Sequence, residues 1–317
     1  MTEKRPMVIL TGPTAVGKTA LSIELAKKIN GSIISADSMQ VYRHMDIGSA
    51  KVMSEEMDGV RHYLIDEFEP DEEFHVVKFV ERAKEHLEEI YAEEKIPIIA
   101  GGTGFYIQAL LYDIDFTEQE CDEAYRAELE LLAAEKGAHY LHNMLREVDP
   151  ASADAIHANN IKRVIRALEF YHLSGKRISE HNEKEREKTS PYHFAYFVLT
   201  DERPHLYANI DKRVDLMIEQ GLVDEVQKLK NMGFHRDMVS MQGLGYKEIL
   251  DYLDGKTTLE EAIYIIKRET RHFAKRQLTW FRRERDVIWL DKQAYDYQDA
   301  KILDSMINIL KEKTIIN

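Results

Sequence analysis

A glycine-rich octet near the start of the chain restricts it to one kind of architecture. Gly12, Pro13, Thr14, Ala15, Val16, Gly17, Lys18 and Thr19 fit the pattern G-x-x-x-x-G-K-[ST], directly after the apolar run 8–10 and before the amphipathic stretch 19–29. A strand that passes through such a loop into a helix is the setting of a P-loop. The glycines let successive main-chain N–H groups converge on phosphate oxygens, and the helix that follows turns its positive end to the same anion. Lys18 adds a point charge and Thr19 a hydroxyl for Mg²⁺. The octet therefore calls for phosphate binding at the carboxyl edge of a sheet.

Apolar runs of strand length recur at 7–11, 32–36, 96–100, 194–200 and 287–290, with helix-period segments between them. That alternation defines an α/β fold with a parallel sheet, here of the P-loop NTPase type. Three runs end in turns suited to ligands: the octet itself, Asp37-Ser38, and Gly101-Gly102-Thr103-Gly104. Between 115 and 191 no strand-like run occurs, only charged helix-period sequence with breaks near Gly137, Asp149-Pro150 and Gly175. The expected organisation is a P-loop core of residues 1–116 and 191–317 with a helical insertion domain at 117–190. A length of 317 residues suits a core with a second lobe, and 44% apolar residues suffice to fill it. After Arg203-Pro204, helical stretches at 206–232 and 259–283 flank the segment 241–247, and the tail from 294 reads as a last helix.

Composition excludes several classes. Cys121 is the only cysteine, which rules out an internal disulfide and a multi-cysteine zinc site. No apolar run approaches the ~18 residues of a membrane span, and the sequence runs almost at once into the first strand, so a soluble, cytoplasmic protein without a cleaved leader is expected. A monomer is the expected state. The net charge of −14 argues against indiscriminate attraction to nucleic acid, but the charge is segregated. Residues 267–285 hold eight Lys or Arg against Glu269 and Glu284, whereas 55–94 is acidic.

Chemistry-bearing residues cluster at the strand ends. Asp37, in Ser35-Ala36-Asp37-Ser38-Met39-Gln40, is placed to ligate Mg²⁺, to act as a general base, or simply to close a turn. Ser38 and Gln40 add groups able to read a substrate edge. Thr103 matters if its hydroxyl reaches the shared crevice. In 160–168, Ile161, Val164, Ile165 and Leu168 share one helical arc while Lys162, Arg163 and Arg166 share the other. That cationic face is either a solvated surface or a row of RNA phosphate contacts. Residues 271–283 interleave cations with aromatics, a composition able to hold phosphates and stack on unpaired bases; Phe273, Trp280 and Phe281 are equally suited to a core. Arg213 either reaches a diphosphate or pairs with Asp211 or Asp215.

Taken together, the octet, Ser35-Ala-Asp-Ser-Met-Gln-Val-Tyr-Arg43, Met45-Asp-Ile-Gly-Ser-Ala-Lys51, His62-Tyr-Leu-Ile-Asp66, Gly101-Gly-Thr103 and Lys275-Arg-Gln-Leu-Thr-Trp-Phe-Arg282 resemble the tRNA dimethylallyltransferases over nearly the whole chain. The resemblance implies transfer of a dimethylallyl group from dimethylallyl diphosphate to the exocyclic amine of the adenine immediately 3′ of the anticodon, in tRNAs that read codons beginning with U. It implies diphosphate held by Gly12 to Thr19, Mg²⁺ (at Thr19 and Asp37) and Arg213. Asp37 matches the general base and Thr103 the residue beside the acceptor adenine. By the same resemblance the tRNA anticodon arm would meet Asp37, Ser38, Met39, Gln40, Thr103, Arg126, Asn160, Ile161, Lys162, Arg163, Val164, Gln242, Gly243, Leu244, Gly245, Tyr246, Lys247, Lys275, Arg276, Gln277, Thr279, Trp280 and Arg282. Asn160-Ile-Lys162-Arg163 and Gln242-Gly243 depart from the commoner forms of their motifs. The main alternative is a P-loop kinase of a nucleotide or small metabolite that transfers a phosphoryl group from ATP, since such a fold does not by itself specify the reaction. An RNA-binding ATPase switch is a second alternative, which leaves Asp37 and Thr103 without a role.

Overall fold

The computed structural model describes residues 4–116 and 122–317, so Cys121 and the first residues of the expected insertion, 117–121, lie outside the described residues. The chain divides into two compact units, residues 1–111 with 191–317, and 112–190.

In the first unit, β1 (Pro6–Thr11) leads through the glycine-rich loop into α1 (Lys18–Ile29), followed by β2 (Gly31–Ser35), the short β3 (His62–Tyr63), α2 (Val76–Ala92), β4 (Ile96–Gly101) and α3 (Gly104–Leu111). The second unit contains α4 (Glu123–Lys136), α5 (Ala138–Val148), α6 (Pro150–Ala155), α7 (Ile161–Ser174) and α8 (Ile178–Glu187). The chain then returns to the first unit with β5 (His193–Thr200), α9 (Arg203–Glu219), α10 (Leu222–Asn231), α11 (Tyr246–Leu253), α12 (Leu259–Phe281), β6 (Val287–Asp291) and α13 (Asp299–Glu312).

All six strands are parallel, in the order β3-β2-β4-β1-β5-β6. Strands covered on both faces need apolar residues at every position. Met7, Val8, Ile9 and Leu10 are accordingly all fully buried. One face packs α1 and α13 through Leu21, Leu25, Ile302 and Met306 against Val8, Leu10, Ile98 and Phe197. α2 packs against β2 and β4. The register brings Thr11 beside Gly101, and Thr11 Oγ1 donates to Gly101 O at 2.7 Å, tying together the two strand ends that carry glycine-rich loops.

The expected stretch 206–232 is two helices rather than one. Gly221, at φ 101°, takes the left-handed conformation that ends α9 and starts α10. The structure also adds β3, a two-residue strand too short to show a period.

The second unit has its own core, in which Leu129, Leu141, Leu145, Val164, Ile165 and Leu168 are buried together. Asp149 caps α6 and accepts from the N–H and Oγ of both Ser152 and Ser179 at 2.6–3.0 Å. Burial alone would raise its pKa, yet these four donors hold it below the ordinary carboxylate range.

Candidate active site

The loop after β1 has the geometry its glycines predict. Gly12 sits at φ 148°, and a Cβ there would stand 2.2 Å from Leu199 O, so no side chain fits. Gly17, at φ 98°, opens α1 without a side-chain cap, which leaves the first N–H groups of the helix for an anion. Lys18 Nζ folds back on the loop, donating to Gly12 O at 3.0 Å and Pro13 O at 2.7 Å. Burial first, then the Arg213 charge, lower the Lys18 pKa to about 7, with Asp37 acting in the opposite direction.

A cavity opens at the carboxyl ends of β1, β2 and β4. Thr14, Lys18, Thr19, Asp37, Gln40 and Arg213 line it, and it continues past Ser49 and Ala50 to Val52, His62 and Ile65. Asp37 Oδ1 accepts from the Met39 N–H at 2.8 Å. Burial raises the Asp37 pKa, while the Met39 N–H, Lys18, the Gln40 backbone and Arg213 pull it back. The result is a carboxylate more basic than usual beside two cations. Arg213 reaches Thr14 Oγ1 at 3.5 Å. Its two carboxylate neighbours in sequence are engaged elsewhere: Asp211 with Arg271 at 2.5 Å and Asp215 with Lys267 at 2.6 Å. Those pairs join α9 to α12 and leave the Arg213 guanidinium to the cavity.

Gln40 is part of the wall: Ser35 Oγ donates to its Oε1 and its Nε2 to Ala50 O, both at 3.1 Å. Thr103 immediately precedes α3, and its N–H donates to Ala36 O at 3.1 Å. Gly101 and Gly102 line the cavity, whereas Thr103 is half-buried beside it. Gly101 has no room for a Cβ, which would meet Ala36 O at 2.3 Å.

Sequence reasoning missed the residues that hold the far wall. Lys51, 5% exposed, donates to Tyr42 O at 2.7 Å and pairs with Asp46 at 2.6 Å and Asp66 at 2.5 Å. Glu225 of α10 accepts from the N–H groups of Asp46, Ile47 and Gly48 at 2.8–3.1 Å and from Tyr246 Oη at 2.8 Å. In sequence Tyr246 stands between Gly245 and Lys247, where nothing marks it as the partner of a glutamate on another helix. Lys292 was missed too; its Nζ lies 3.5 Å from Val16 O and 3.1 Å from Asp299.

Several of the candidate RNA contacts are buried core or framework residues in this structure. Tyr246 and Val164 are fully buried, one against Gly48 and the other inside the second unit. Gly245 is also buried and accepts the left-handed φ of 95° that starts α11. Gln277 is 6% exposed and bonded to the phosphate loop. Leu244 is half-buried, as is Gly243, which packs on the Met39 side chain; Ser38 and Lys247 are half-buried as well, and Gln242 is exposed.

α12 nevertheless offers a cationic face. Lys275, Arg276, Thr279 and Arg282 are exposed, while Ala274, Gln277 and Phe281 point inward. Phe273 lines the cavity, and the Trp280 ring fills the space above Gly104, where a Cβ would approach to 2.3 Å. Just beyond the helix, Glu284 accepts from Gln108 Nε2 at 3.1 Å. Burial raises its pKa to about 7, against the opposing effects of Trp280, Arg285 and Gln108. A folded-state value above the unfolded one means the native protein binds this proton more tightly, so stability falls as pH rises from about 4.5 to about 7. Glu284→Gln is expected to raise Tm by several degrees at pH 8, with the gain vanishing near pH 5; an equal gain at both pH values would contradict this account.

In the second unit, Asn160, Lys162 and Arg163 are exposed at the start of α7, and Ile161 is half-buried against the core. Arg126 and Arg166 converge on the fully buried Glu169, at 2.7 Å and 3.1 Å. This pairing leaves both guanidiniums partly exposed in fixed positions.

The fold and cavity define a P-loop protein with a half-buried carboxylate, Asp37, beside the loop. The profile described as IPP transferase matches residues 40–284, and the chain belongs to that family. It is 65% identical to a tRNA dimethylallyltransferase of Lachnoclostridium phytofermentans, over 98% of this chain and 99% of that one. A protein of the same name from Acetivibrio thermocellus is 52% identical over 95% and 96%. Among solved structures, the tRNA isopentenylpyrophosphate transferase of Bacillus halodurans aligns with a TM-score of 0.73 and 46% identity, covering 98% of each chain. A eukaryotic dimethylallyltransferase captured acting on tRNA aligns with a TM-score of 0.78 and 31% identity, over 90% of this chain and 74% of that one.

Proposed function

We propose that the chain transfers the dimethylallyl group of dimethylallyl diphosphate to the exocyclic amine of the adenine immediately 3′ of the anticodon, in tRNAs reading codons that begin with U. The observation that carries this reading is that Lys18, Thr19, Arg213 and Asp37 line one and the same cavity. A phosphate-only site needs the first three; a basic carboxylate beside them gives a proton from a nucleophile somewhere to go. Kinship with proteins named for prenyl transfer to tRNA favours this reading over a kinase.

The N–H groups of the octet, Lys18 and Arg213 would grip the diphosphate, and the wall from Ser49 to Ile65 would receive the prenyl chain. As the allylic carbon–oxygen bond breaks, negative charge grows on the departing diphosphate, where these donors lie already oriented. The adenine amine attacks the same carbon, forming the nitrogen–carbon bond, and its proton passes to the Asp37 carboxylate. An adenine within a folded loop has to leave its stack to reach that point. The exposed cations of α12, together with Arg126, Lys162 and Arg163 in the second unit, would contact the anticodon arm, while the overall negative charge disfavours unrelated RNA.

Magnesium fits the residues present. Among the described residues no group of three His, Cys, Asp or Glu suits a metal, but Mg²⁺ bound to diphosphate keeps several waters and needs few protein ligands. The Thr19 hydroxyl at the cavity would hold it, with diphosphate oxygens and water completing its shell, and the Asp37 carboxylate on the same cavity stays available as the base. When bound, Mg²⁺ neutralises charge on the leaving diphosphate. Among the described residues no helix is long and apolar enough to cross a membrane.

The acceptor is tested with two transcripts that differ only at the position 3′ of the anticodon. Adenine there should accept the prenyl group and guanine should not; equal incorporation into both would reject the assigned position.

A further inference from the structure

Gln277 makes contacts unlike those of its neighbours on α12. Lys275, Arg276 and Thr279 are exposed, but Gln277 turns inward and is 6% exposed. Its Oε1 accepts from the Thr14 N–H at 2.9 Å, and its Nε2 donates to Gly102 O at 3.0 Å. Thr14 belongs to the phosphate loop after β1, and Gly102 to the loop after β4. One amide therefore spans the two glycine-rich loops that border the cavity, using its acceptor on one and its donor on the other. The opposite polarity of the two ends fixes the amide's orientation.

The surroundings of this bridge are closely packed. A Cβ on Gly102 would stand 2.3 Å from Gln277 Nε2, so glycine at 102 is what lets the amide in. Thr14 also meets Arg213 through its hydroxyl, at 3.5 Å. On the other side, Thr103 N–H bonds Ala36 O, next to Asp37 in sequence. The bridge thus connects, through adjacent backbone, the loop that would grip diphosphate to the loop beside the proposed base. Buried hydrogen bonds of this kind hold a site within the small tolerance that bond-making chemistry demands.

We propose that Gln277 is a positioning residue for the transfer step: it sets the spacing between the diphosphate loop and the Gly101–Thr103 loop, rather than contacting RNA. This inference rests on the transfer reading above for its catalytic half only. The loop half stands on diphosphate binding alone.

Two variants test it. Gln277→Ala removes both bonds and opens a space; Gln277→Met removes both bonds while nearly keeping the volume, which guards against a folding failure in the first. Steady-state kinetics with tRNA and dimethylallyl diphosphate should show kcat lowered by about 10- to 100-fold in both, with KM for tRNA within about twofold of the parent. Calorimetric titration with inorganic pyrophosphate and Mg²⁺ should show weakened binding in both, at a temperature where thermal melts show the variants folded. A rise in KM for tRNA at unchanged kcat would overturn the proposal and return Gln277 to the RNA face. Unchanged kinetics and unchanged pyrophosphate affinity in the Met variant would overturn it as well. If the parent protein itself transfers nothing, the transfer reading fails, and the pyrophosphate titration still decides whether Gln277 sets the phosphate loop.

Discussion

Asp37→Asn is expected to reduce prenyl transfer by about three orders of magnitude while dimethylallyl diphosphate binding stays within a few-fold of the parent. Asparagine matches the shape of aspartate and keeps an oxygen for the Met39 N–H, so the turn after β2 should survive. What it loses is a proton acceptor. The Asp37 carboxylate is made more basic by burial, only partly countered by Met39, Lys18, Gln40 and Arg213. Basicity of that kind has no use in holding an anion and is what removal of a proton from the attacking amine requires. Single-turnover transfer at a parental rate would dismiss the base assignment and leave Asp37 as a turn residue.

The second large effect is expected at Lys18. Lys18→Ala should weaken pyrophosphate binding by about 30- to 100-fold, the worth of a charged hydrogen bond, and should lower the transfer rate further because charge grows on the diphosphate during the reaction. The lysine also makes affinity depend on pH. In the free protein its pKa lies at about 7, depressed by burial and then by Arg213. A bound anion favours the charged form, so binding above that pH requires proton uptake and affinity should fall by up to tenfold per unit as pH rises beyond about 7. The Ala variant lacks that component. The difference between the two pH profiles isolates Lys18 from the titration of pyrophosphate itself; parallel profiles would show that the lysine is already charged.

Much of this arrangement is legible in the sequence because it depends on local rules. Strands buried on both faces are uninterrupted apolar runs, so five of the six strands fall within a residue or so of their expected limits. A Cβ on Gly12 would strike the backbone of β5, and one on Gly101 the backbone of Ala36 just past β2, which explains why the turns carry glycine. The face of α7 also follows from its period: Val164, Ile165 and Leu168 enter the core, and Lys162 and Arg163 do not.

Long-range partnerships leave weaker traces. The pairs of Asp211 with Arg271 and Asp215 with Lys267 span more than one helix, and no spacing rule announces them. They decide that Arg213 faces the cavity. Likewise, Glu225 binds three N–H groups of a segment almost 180 residues away in sequence. The bonds of a single polar residue in a cationic helix are equally hard to foresee: Gln277 shares its segment with exposed arginines yet bonds Thr14, because the helical period turns it to the opposite side. β3 escaped detection because two residues are too few for alternation to register.

The central claim is that this cavity moves a prenyl group onto RNA rather than a phosphoryl group onto a small molecule. Purified protein with Mg²⁺, unmodified tRNA bearing adenine 3′ of the anticodon, and dimethylallyl diphosphate radiolabelled in its prenyl carbons tests this directly, with labelled ATP in parallel. The account predicts label in the tRNA from the prenyl donor, lost in Asp37→Asn, and no turnover of ATP. An unlabelled tRNA together with ATP hydrolysis or phosphoryl transfer would contradict it.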